Sequence, residues 1–516
     1  MLNLSVLLED SAQKYPNKTA FTFMDTSLSF WQINAVANQV ANGLVATGIK
    51  PGDKVALSCF NLPYFPIIYN GILKAGATVV PLSVLLKTDE VQYHLENSEA
   101  KAYFCFVGNE DLPMGQMGFD GFNAAKSCEH FFMIMPKGDM PSSIAGTKTL
   151  GSLLANQKPT FDAVATKATD TAVIVYTSGT TGKPKGAELS HSNLLQNTIL
   201  SADLYNCSKD DTLLIVLPLF HIFAMTVLML SALYKGATAI LLPRFDGKAV
   251  LDLLDKHKVT VFAGVPTMYW GLNSYLDANN FDISNIKSNL KMCLSGGASL
   301  PVPVLEKFEE RFDASILEGF GMSEGSPVVT FNQLDVGRKP GSVGTPVWGV
   351  QVKLVDDQGN EVLQGEKGEL LYKGHNVMKG YYNNPEATAK TIQNGWLYSG
   401  DIAIKDEDGF YFIVDRTKDM IIRGGLNIYP REVEAVMMKH PAVSMVAIIG
   451  IPDEQMGEEV KAFVVLNEGA TATSEALMSF TKDNIAAYKY PRIVEITKTL
   501  PTSATGKILK KELRKL

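Results

Sequence analysis

The sequence is poor in cysteine and has no long apolar run. Its five cysteines among 516 residues are scattered, odd in number and without the paired spacing of a zinc site. We therefore expect reduced thiols, as in a cytoplasmic protein, and no disulfide framework. The longest apolar stretch, 222–233, is about a dozen residues and carries Thr226 and Ser231, whereas a membrane span needs roughly 20. This stretch predicts a buried helix and no membrane span.

An excess of positive charge and a basic leader are also missing. The formal net charge is −7 at pH 7, which argues against a general nucleic-acid binder. The chain reaches Glu9 and Asp10 without a basic stretch, so no signal peptide is expected. A hydrophobic content of 46% with 20% charged residues is typical of a globular protein. The length of 516 residues predicts two or more domains.

Strand-like and helix-like segments alternate through most of the chain. Apolar residues recur at helical spacing in 29–41 and 64–73, and short β-branched runs occupy 54–58 and 77–82. This alternation predicts an α/β fold with layered, largely parallel sheets. The stretch 108–158 is rich in Gly, Met and Pro, and we expect mainly loops there.

The pattern changes near residue 415. A charged cluster at 415–419 is followed by a helix start at Pro430 and strand patterns at 443–451 and 461–466. These elements predict a compact α+β unit after the cluster. We expect a large N-terminal domain over 1–414, a hinge at 415–418 and a small mobile domain over 419–516.

The segment 176–186 reads Tyr-Thr-Ser-Gly-Thr-Thr-Gly-Lys-Pro-Lys-Gly and follows a buried strand at 171–175. Glycine lets backbone N–H groups turn towards an anion, hydroxyls donate hydrogen bonds and lysines add positive charge. The P-loop spacing fails here, because two glycines are too close together and Pro184 follows Lys183. An ordinary surface loop is the alternative to a phosphate-binding one. The residues 188–195 predict a turn that enters a helix.

Further polar motifs follow strand patterns in the second half of the chain. The glycine pair in 295–301 follows a strand and lets a flat ligand approach the backbone. The string 318–324 begins like a dinucleotide fingerprint, but Glu324 occupies the place of the third glycine, so that interpretation fails. A turn at 395–401 ends in a carboxylate, and the C-terminal string 501–510 presents Lys507 from a Thr-Gly turn. We expect the remaining C-terminal cations to be solvated: Lys510, Lys511, Arg514 and Lys515.

Taken together and in this order, these motifs resemble the adenylate-forming (AMP-binding) family over essentially the whole chain. The branch they resemble is that of the acyl-CoA synthetases, including medium- and long-chain fatty acid–CoA ligases and 4-coumarate–CoA ligases. The resemblance implies a reaction in two halves. A carboxylate attacks the α-phosphate of ATP to give an acyl-adenylate and pyrophosphate, and the thiol of coenzyme A then displaces AMP. ATP, Mg²⁺ and coenzyme A are the implied cofactor and substrates.

The resemblance also implies a role for individual residues. Lys507, His221 and Glu324 would be catalytic, with Glu324 also holding Mg²⁺, Lys418 would be the hinge, and Gly424 and Gly425 would line the path of coenzyme A. Phe320 would stack on adenine and Asp401 would bind the ribose hydroxyls. The nucleotide-binding set is Thr177, Ser178, Gly179, Thr180, Thr181, Gly182, Lys183, Lys185, Gly297, Ala298, Glu318, Gly319, Phe320, Ser323, Asp401 and Arg416. The acyl-pocket set is Phe220, Phe223, Met225, Gly296, Gly321 and Met322. The chain departs from the family at Ala224, where Gly is usual, at Ile422, where some members carry Lys, and at Lys510, where Arg is frequent.

The residues of the predicted acyl pocket and of the C-terminus indicate which acid and which thiol acceptor to expect. Residues 219–225 are apolar and contain no Asp to hold an ammonium group, which favours an apolar acid over an amino acid. The sequence ends soon after Lys507, so we expect free coenzyme A rather than a carrier domain as acceptor. Aliphatic, Met-rich pocket segments favour a medium- or long-chain fatty acid, with an aryl acid of the 4-coumarate kind as the alternative. A luciferase-like oxygenase would share these motifs. A non-catalytic ATP- or AMP-binding protein is the alternative from another class, and a monomer or homodimer is expected.

Overall fold

The computed structural model describes residues 2–177, 183–424 and 426–516. Six predicted site residues lie outside these ranges: Ser178, Gly179, Thr180, Thr181, Gly182 and Gly425. The strands in chain order are β1 (Thr19–Phe23), β2 (Thr26–Ser29), β3 (Lys54–Ser58), β4 (Thr78–Pro81), β5 (Ala100–Phe106), β6 (His130–Ile134), β7 (Lys148–Thr149), β8 (Thr171–Thr177), β9 (Lys185–Ser190), β10 (Thr212–Ile215), β11 (Thr238–Leu241), β12 (Val261–Gly264), β13 (Met292–Ser295), β14 (Ser315–Gly321), β15 (Val328–Phe331), β16 (Thr345–Pro346), β17 (Val350–Val355), β18 (Lys367–Gly374), β19 (Gly380–Tyr381), β20 (Ile392–Gln393), β21 (Trp396–Lys405), β22 (Tyr411–Arg416), β23 (Ile421–Arg423), β24 (Leu426–Ile428), β25 (Val443–Asp453), β26 (Gly457–Leu466) and β27 (Ile493–Ile496). The helices are α1 (Val6–Lys14), α2 (Phe30–Ala46), α3 (Tyr64–Lys74), α4 (Thr88–Ser98), α5 (Met114–Ala124), α6 (Leu150–Leu154), α7 (His191–Leu204), α8 (Ser231–Lys235), α9 (Gly247–Lys256), α10 (Pro266–Ala278), α11 (Ser284–Asn289), α12 (Val302–Phe312), α13 (Pro385–Thr391), α14 (Pro430–Met437), α15 (Ser474–Asn484) and α16 (Lys510–Leu513).

A first mixed sheet has the strand order β19-β9-β8-β4-β3-β5-β6-β7. Its strands from β8 to β7 run parallel, and β9 and β19 are antiparallel additions at one edge. The apolar runs of β3, β4 and β8 are almost wholly buried, as expected when helices cover both faces of a parallel sheet.

The prediction of loops over 108–158 is wrong. Helix α5 and strand β6 lie there, and β6 extends the parallel sheet beside β5. The glycines of α5 that resemble helix breakers are packing positions, because a Cβ on Gly118 would lie 2.6 Å from the Sγ of Cys105. Glycine at this position lets the helix backbone approach the strand closely.

The predicted turn at 188–195 is also wrong in its first half. Residues Lys185–Ser190 form β9, which pairs antiparallel with β8 so that Tyr176 faces Gly186. Ser190 then caps α7 by accepting a hydrogen bond from Asn193 N at 3.1 Å. The segment predicted to bind phosphate is therefore flanked by the two strands of a hairpin.

A second sheet has the order β16-β15-β14-β13-β12-β10-β11-β1-β2 and is parallel from β14 to β1. The carboxyl ends of β12, β13 and β14 therefore open at the same edge, which is where ligands bind in such sheets. A third, antiparallel sheet has the order β17-β18-β21-β20, with β22 paired to β21. One hydrophobic core extends from Leu4 to Tyr411 and joins these three sheets.

A fourth sheet, formed by residues after 420, has the order β24-β23-β26-β25, with β27 on β26. Two separate apolar clusters pack on it, one including Ile448 and the other Ile449. The architecture is thus the predicted α/β type: a large N-terminal domain of sheets and helices and a smaller C-terminal domain.

The long apolar stretch at 222–233 forms a buried helix, as predicted. It is wound as a π-helix over Phe223–Leu230 and continues into α8. Among the described residues, no helix is both long and apolar enough to cross a membrane.

Three of the four C-terminal cations predicted to be solvated form ion pairs: Lys515 pairs with the nearby Glu512 of α16, and two others pair with more distant residues. The Nζ of Lys510 lies 2.7 Å from Glu434 Oε1, and Arg514 Nη2 lies 3.0 Å from Asp419 Oδ1. The short helix α16 is thereby held against both α14 and the 415–419 turn.

Candidate active site

A cleft of about 390 Å³ lies at the carboxyl edge of β13 and β14, where the large and small domains meet. Eight residues predicted from the sequence line it: Gly297, Ala298, Gly319, Phe320, Gly321, Asp401, Arg416 and Lys507. Four further residues were not predicted: Ser299, Val343, Ile413 and Arg431. Folding therefore brings together motifs that lie more than 200 residues apart in the sequence.

Lys507 enters the cleft from a turn of the small domain. Thr502 and Ile508 form a bridge, and Gly506, at φ +78°, lets the chain reverse just before the lysine. Thr267 of the large domain donates a hydrogen bond to Gly506 O at 3.0 Å, which fixes the turn against α10. The Lys507 side chain passes so close to Gly297 that a Cβ there would lie 3.0 Å from its Cε.

Charge and burial both act on Lys507. Burial, together with the guanidinium groups of Arg416 and Arg431, lowers the pKa of its ammonium group to about 8, while the carboxylates of Asp401 and Glu324 oppose the shift. The cleft thus gathers three cations, Lys507, Arg416 and Arg431, beside one carboxylate, Asp401, a charge pattern suited to a polyanionic ligand.

Asp401 and Arg416 face each other because of strand register. They are directly paired across β21 and β22, and Arg416 Nε donates to Asp401 Oδ1 at 3.2 Å. Asp401 is 3% exposed, so its carboxylate is held at the wall of the cleft. Arg431, the second residue of α14, donates from Nη1 to Ser299 Oγ at 2.7 Å. Its side chain thus reaches from the small domain to the turn after β13 that contains Gly296 and Gly297, the glycine turn. A basic residue at a helix start carries no sequence signal that would separate Arg431 from a surface arginine.

Glu318 does not line the cleft, although it was predicted to bind nucleotide. Its Oε1 accepts a hydrogen bond from Leu300 N at 2.9 Å. The side chain therefore stabilises the backbone of the glycine turn. Within the described residues its Oε2 has no partner, and burial raises the pKa of this carboxyl to about 8. Its position follows from the parallel register that sets Glu318 beside Ser295.

Glu324 is not part of the cleft lining. It contacts Thr177 at the end of β8, where the segment 177–185, the phosphate-loop candidate, begins. Its Oε1 accepts from Thr177 Oγ1 at 3.2 Å and from Tyr381 OH at 2.8 Å, and it is 5% exposed. Tyr381 was missed from the sequence because only the tertiary pairing of β19 with β9 brings it to Glu324. Ser323 begins the short 3-10 turn that carries Glu324.

The two lysines of the phosphate-loop candidate lie on aromatic rings. Lys183 Nζ is 5.1 Å from the ring centre of Tyr93, and Lys185 Nζ is 5.0 Å from that of Tyr381. Both distances fit cation–π contacts. Neither lysine lines the cleft.

His221 and Phe223 lie close to each other, and the Phe223 ring lies beside Gly296. The Nδ1 of His221 accepts a hydrogen bond from Phe223 N at 3.3 Å, so the ring proton of the neutral form resides on Nε2. Burial lowers the pKa of His221 to about 3, and the charge of Lys507 adds to this effect. The Phe223 ring packs against Gly296, and a Cβ added to this glycine would lie 3.4 Å from the ring. Phe220 and Met225 are buried, and Met322 is partly buried.

Lys418 and Gly424 lie outside the cleft. Lys418 sits in a turn in which Asp419 N donates to Arg416 O at 3.0 Å. Gly424 has φ +57° and lies against Met456, between Ile422 and Leu426, whose side chains are each 49% exposed. Among the described residues, Lys507 therefore lines the cleft and Gly424 does not.

Comparison with known proteins identifies the class that this fold and cleft define. The family model of AMP-binding enzymes matches residues 8–382, and that of the AMP-binding enzyme C-terminal domain matches residues 432–507. The chain belongs to the AMP-binding enzyme family.

Individual relatives narrow the activity. The chain is 37% identical to a long-chain-fatty-acid–CoA ligase of Bacillus subtilis (strain 168) over 533 residues, which cover 99% of this chain and 94% of that protein. It is 35% identical to a feruloyl-CoA synthase of Amycolatopsis sp over 505 residues, covering 98% and 97%. The crystal structure of the anthranilate CoA ligase AuaEII in complex with anthranoyl-AMP superposes with a TM-score of 0.91 at 30% identity, covering 99% of this chain and 96% of that one.

These comparisons decide between the classes that the sequence left open. The chain is an acyl- or aryl-CoA ligase that works through an adenylate, with ATP and coenzyme A as substrates. The alternative of a non-catalytic nucleotide-binding protein is thereby set aside.

Proposed function

We propose that this enzyme joins a medium- or long-chain fatty acid to coenzyme A, and that Lys507 is its adenylating residue. The observation that carries this proposal is the position of the partly buried Lys507 in a cleft with Asp401, Arg416 and the glycine turn at Gly297. An ammonium group in such a cleft stabilises charge that develops on a phosphate during nucleotidyl transfer.

In the first half-reaction, an oxygen of the acid attacks the α-phosphorus of ATP and the bond to pyrophosphate breaks. We assign Lys507 to the α-phosphate and the carboxylate, Asp401 to the ribose hydroxyls, and the Gly297–Ala298 backbone with Phe320 to adenine. The segment 177–185 takes the β- and γ-phosphates, and Lys183 and Lys185, each placed by an aromatic ring, add positive charge to it. No protein nucleophile is needed, so positioning supplies much of the rate.

The donor set around Glu324 fits Mg²⁺. The described residues contain no group of three or more side chains that could hold a metal by themselves. Mg²⁺ in nucleotide enzymes uses one or two carboxylates together with phosphate oxygens and water, and the buried Glu324 carboxylate supplies one. When bound, the ion would neutralise phosphate charge, and Thr177 and Tyr381 would orient its carboxylate.

His221 serves the acid. Its neutral ring has the proton on Nε2, so it can donate a hydrogen bond to the fatty carboxylate without competing with Lys507 for negative charge. The buried Phe220 and Met225, with Phe223, Gly296, Gly321 and Met322, form an apolar surface for the chain of the acid.

For the second half-reaction we assign residues 415–418 as a hinge between an adenylating domain, 1–414, and a mobile domain, 419–516. Rotation at Lys418 withdraws Lys507 and brings the β23–β24 hairpin with Gly424 to the cleft. The thiolate of coenzyme A then attacks the acyl carbon, and AMP leaves as the C–O bond to phosphate breaks. Two conformations let one site perform two incompatible steps.

An aryl acid is the second candidate. The Phe223 ring beside Gly296 offers a flat wall on which an aromatic acid could stack, and the feruloyl- and anthranilate-specific relatives share the fold. The fatty acid is favoured because the described pocket offers few polar groups to hold a phenol.

We place the enzyme in the cytoplasm on the chemistry of its cysteines. All five are free and buried, and burial raises the pKa of the thiols of Cys59, Cys105, Cys128, Cys207 and Cys293. Thiols in this state suit a reducing compartment.

Pyrophosphate release over a panel of acids tests the proposal. Saturated acids from six to eighteen carbons (about two-carbon steps) should give a higher kcat/KM than 4-coumarate, ferulate or benzoate, with thioester formed only when coenzyme A is added. A higher kcat/KM for an aryl acid would replace the fatty substrate. No release with any acid would overturn the adenylating role.

The role of Lys507 is tested by measuring the two half-reactions, adenylation and thioester formation, separately. Lys507→Ala should abolish pyrophosphate release yet still convert a supplied acyl-adenylate and coenzyme A to thioester. Lys511→Ala, at an exposed lysine of the same tail, is the control and should retain both activities. Equal loss of the two halves in Lys507→Ala would contradict the two-conformation mechanism.

A further inference from the structure

Helix α4 contacts both ends of the phosphate-loop candidate. Tyr93 OH donates to Pro184 O at 2.7 Å on the exit side, and Tyr176 OH donates to Asn97 Oδ1 at 2.8 Å on the entry side. Tyr93 and Asn97 are four residues apart, so one face of the helix presents both side chains. Between them His94 packs its ring on Tyr176, with centroids 4.4 Å apart at 70°.

The contact at the exit side has two parts. Besides the hydrogen bond to Pro184 O, the Tyr93 ring lies under Lys183, with Nζ 5.1 Å from its centre. Proline has no N–H, so its carbonyl is the backbone group by which a side chain can hold this point. Removal of the hydroxyl and removal of the ring are therefore separable changes.

The contact at the entry side continues into the hairpin. Tyr176 faces Gly186 across β8 and β9, and a Cβ on Gly186 would lie 3.3 Å from the Tyr176 ring. The tyrosine is thus held between the glycine and α4. A change at Asn97 acts on the strand that delivers Thr177.

We propose that Tyr93 and Asn97 are positioning residues for the phosphates of ATP: they fix the two ends of the segment 177–185 through Pro184 and Tyr176. The inference rests on the proposed role of that segment in binding the β- and γ-phosphates. Because neither residue lines the cleft, both act through the chain they hold. A small displacement of the groups that bind a substrate has a large effect on the rate. A positioning role of Tyr93 and Asn97 should therefore be visible in the KM for ATP.

The expected signature is selective for ATP. Tyr93→Phe removes the hydrogen bond and keeps the ring, and should raise the KM for ATP about two- to tenfold, the range for one lost hydrogen bond. Tyr93→Leu also removes the ring under Lys183 and should raise the KM for ATP further than Tyr93→Phe does. The KM values for the acid and for coenzyme A should stay within about twofold, and the KM for pyrophosphate in the reverse reaction should rise in the same order.

Conservative and matched variants separate positioning from folding. Asn97→Asp keeps an acceptor for the Tyr176 hydroxyl and should retain a KM for ATP near the wild-type value, whereas Asn97→Ala should raise it. Tyr64→Phe is the matched control, because Tyr64 OH also donates to a proline carbonyl, Pro136 O at 3.2 Å, away from the cleft. It should leave all three KM values unchanged.

Calorimetric titration with ATP in the absence of acid makes the test independent of turnover. If the wild type binds ATP but activates no acid, the proposed function fails while weaker ATP binding in the Tyr93 variants would still support the inference. If the wild type is active and both Tyr93 variants match Tyr64→Phe in the KM and Kd for ATP, the inference is overturned. A parallel rise in the KM of all three substrates would also overturn it, since that result indicates a change of the site that is not confined to the ATP phosphates.

Discussion

The side chain of Lys507 crosses directly over Gly297, so that a methyl group at position 297 would lie 3.0 Å from the lysine Cε. This contact joins the small domain to the glycine turn that follows β13. It exists because Gly297 has φ +83°, a conformation that side chains disfavour, and because it leaves space that only a residue without Cβ can leave.

Gly297→Ala should therefore reduce adenylation while sparing the second half-reaction. The methyl displaces Lys507, and the positive φ adds strain of about 1–2 kcal/mol. We expect kcat/KM for pyrophosphate release to fall at least about tenfold, given that 1.4 kcal/mol corresponds to a factor of ten. Gly359→Ala is the control, since Gly359 has a similar φ of +84° and open space around it. Similar losses in both variants would show that strain alone acts.

The pH dependence of adenylation should report Lys507. Its pKa is lowered to about 8, so the catalytic ammonium is lost as pH rises through that value. The kcat/KM for ATP, which reports the free enzyme, should fall above about pH 8, and kcat should fall only at higher pH because bound phosphate favours the charged lysine. Lys507→Arg should lack this alkaline limb even if it retains little activity. An unchanged limb in that variant would assign the titration to another group.

Glu318→Gln should change the KM for ATP little, whereas Glu318→Ala should raise it. The carboxyl of Glu318 has a pKa raised to about 8 by burial and accepts from Leu300 N, a function that a neutral amide can replace. In Glu318→Ala the buried N–H loses its acceptor, at a cost of about 1–3 kcal/mol, and the glycine turn loses its support. We expect the KM for ATP to rise about tenfold or more in Glu318→Ala and less than about threefold in Glu318→Gln. Equal effects would mean that the ionised carboxylate itself is required.

Acid should destabilise the fold through His191. Its Nδ1 accepts from Leu4 N at 3.1 Å, and burial lowers its pKa to about 4. Above pH 6.5 the imidazole is neutral in both the folded and unfolded chain, but between pH 6.5 and 4 only the unfolded chain takes up the proton. The free energy of unfolding should thus fall by roughly 2 kcal/mol by pH 5 from this group.

Urea unfolding between pH 7 and pH 5 measures that loss. His191→Asn keeps an acceptor near Leu4 N but cannot titrate, so its stability should depend less on pH by a similar amount. The same pH slope in the variant and the wild type would assign the acid sensitivity to other groups.

How far the sequence predicted the structure differs from region to region. The strands at 54–58, 171–175 and 443–451 and the helices at 29–41 and 64–73 were predicted because apolar periodicity there is strong. Helix α5 was missed because its glycines, which serve close packing on β5, look like breakers in the sequence. Strand β9 was missed because its residues, Lys185–Ser190, show little apolar alternation, so that only the pairing with β8 defines the strand.

The candidate site shows the same division. The resemblance of their motifs to the adenylate-forming family was enough to choose Lys507, Asp401, Arg416 and Gly297, and the cleft brings all four together. Arg431 and Tyr381 were not found, because each is an ordinary residue type whose place depends on partners far along the chain. The pairing of Tyr381 with Glu324 depends on β19 reaching β9, and that of Arg431 with Ser299 depends on how the two domains meet.

The sequence alone determined the class of chemistry, because its motifs resemble those of the adenylate-forming family. A loop of glycines, hydroxyls and lysines, a carboxylate after a turn and a lysine near the C-terminus are local features that the sequence displays directly. The tertiary structure decided which of those groups share one cleft, that Glu318 supports a turn instead of lining the cleft, and that α4 holds both ends of the phosphate-loop candidate. The physical reason is that burial, strand register and the meeting of two domains arise from contacts between distant segments, and it is these contacts that set distances, charges and pKa values.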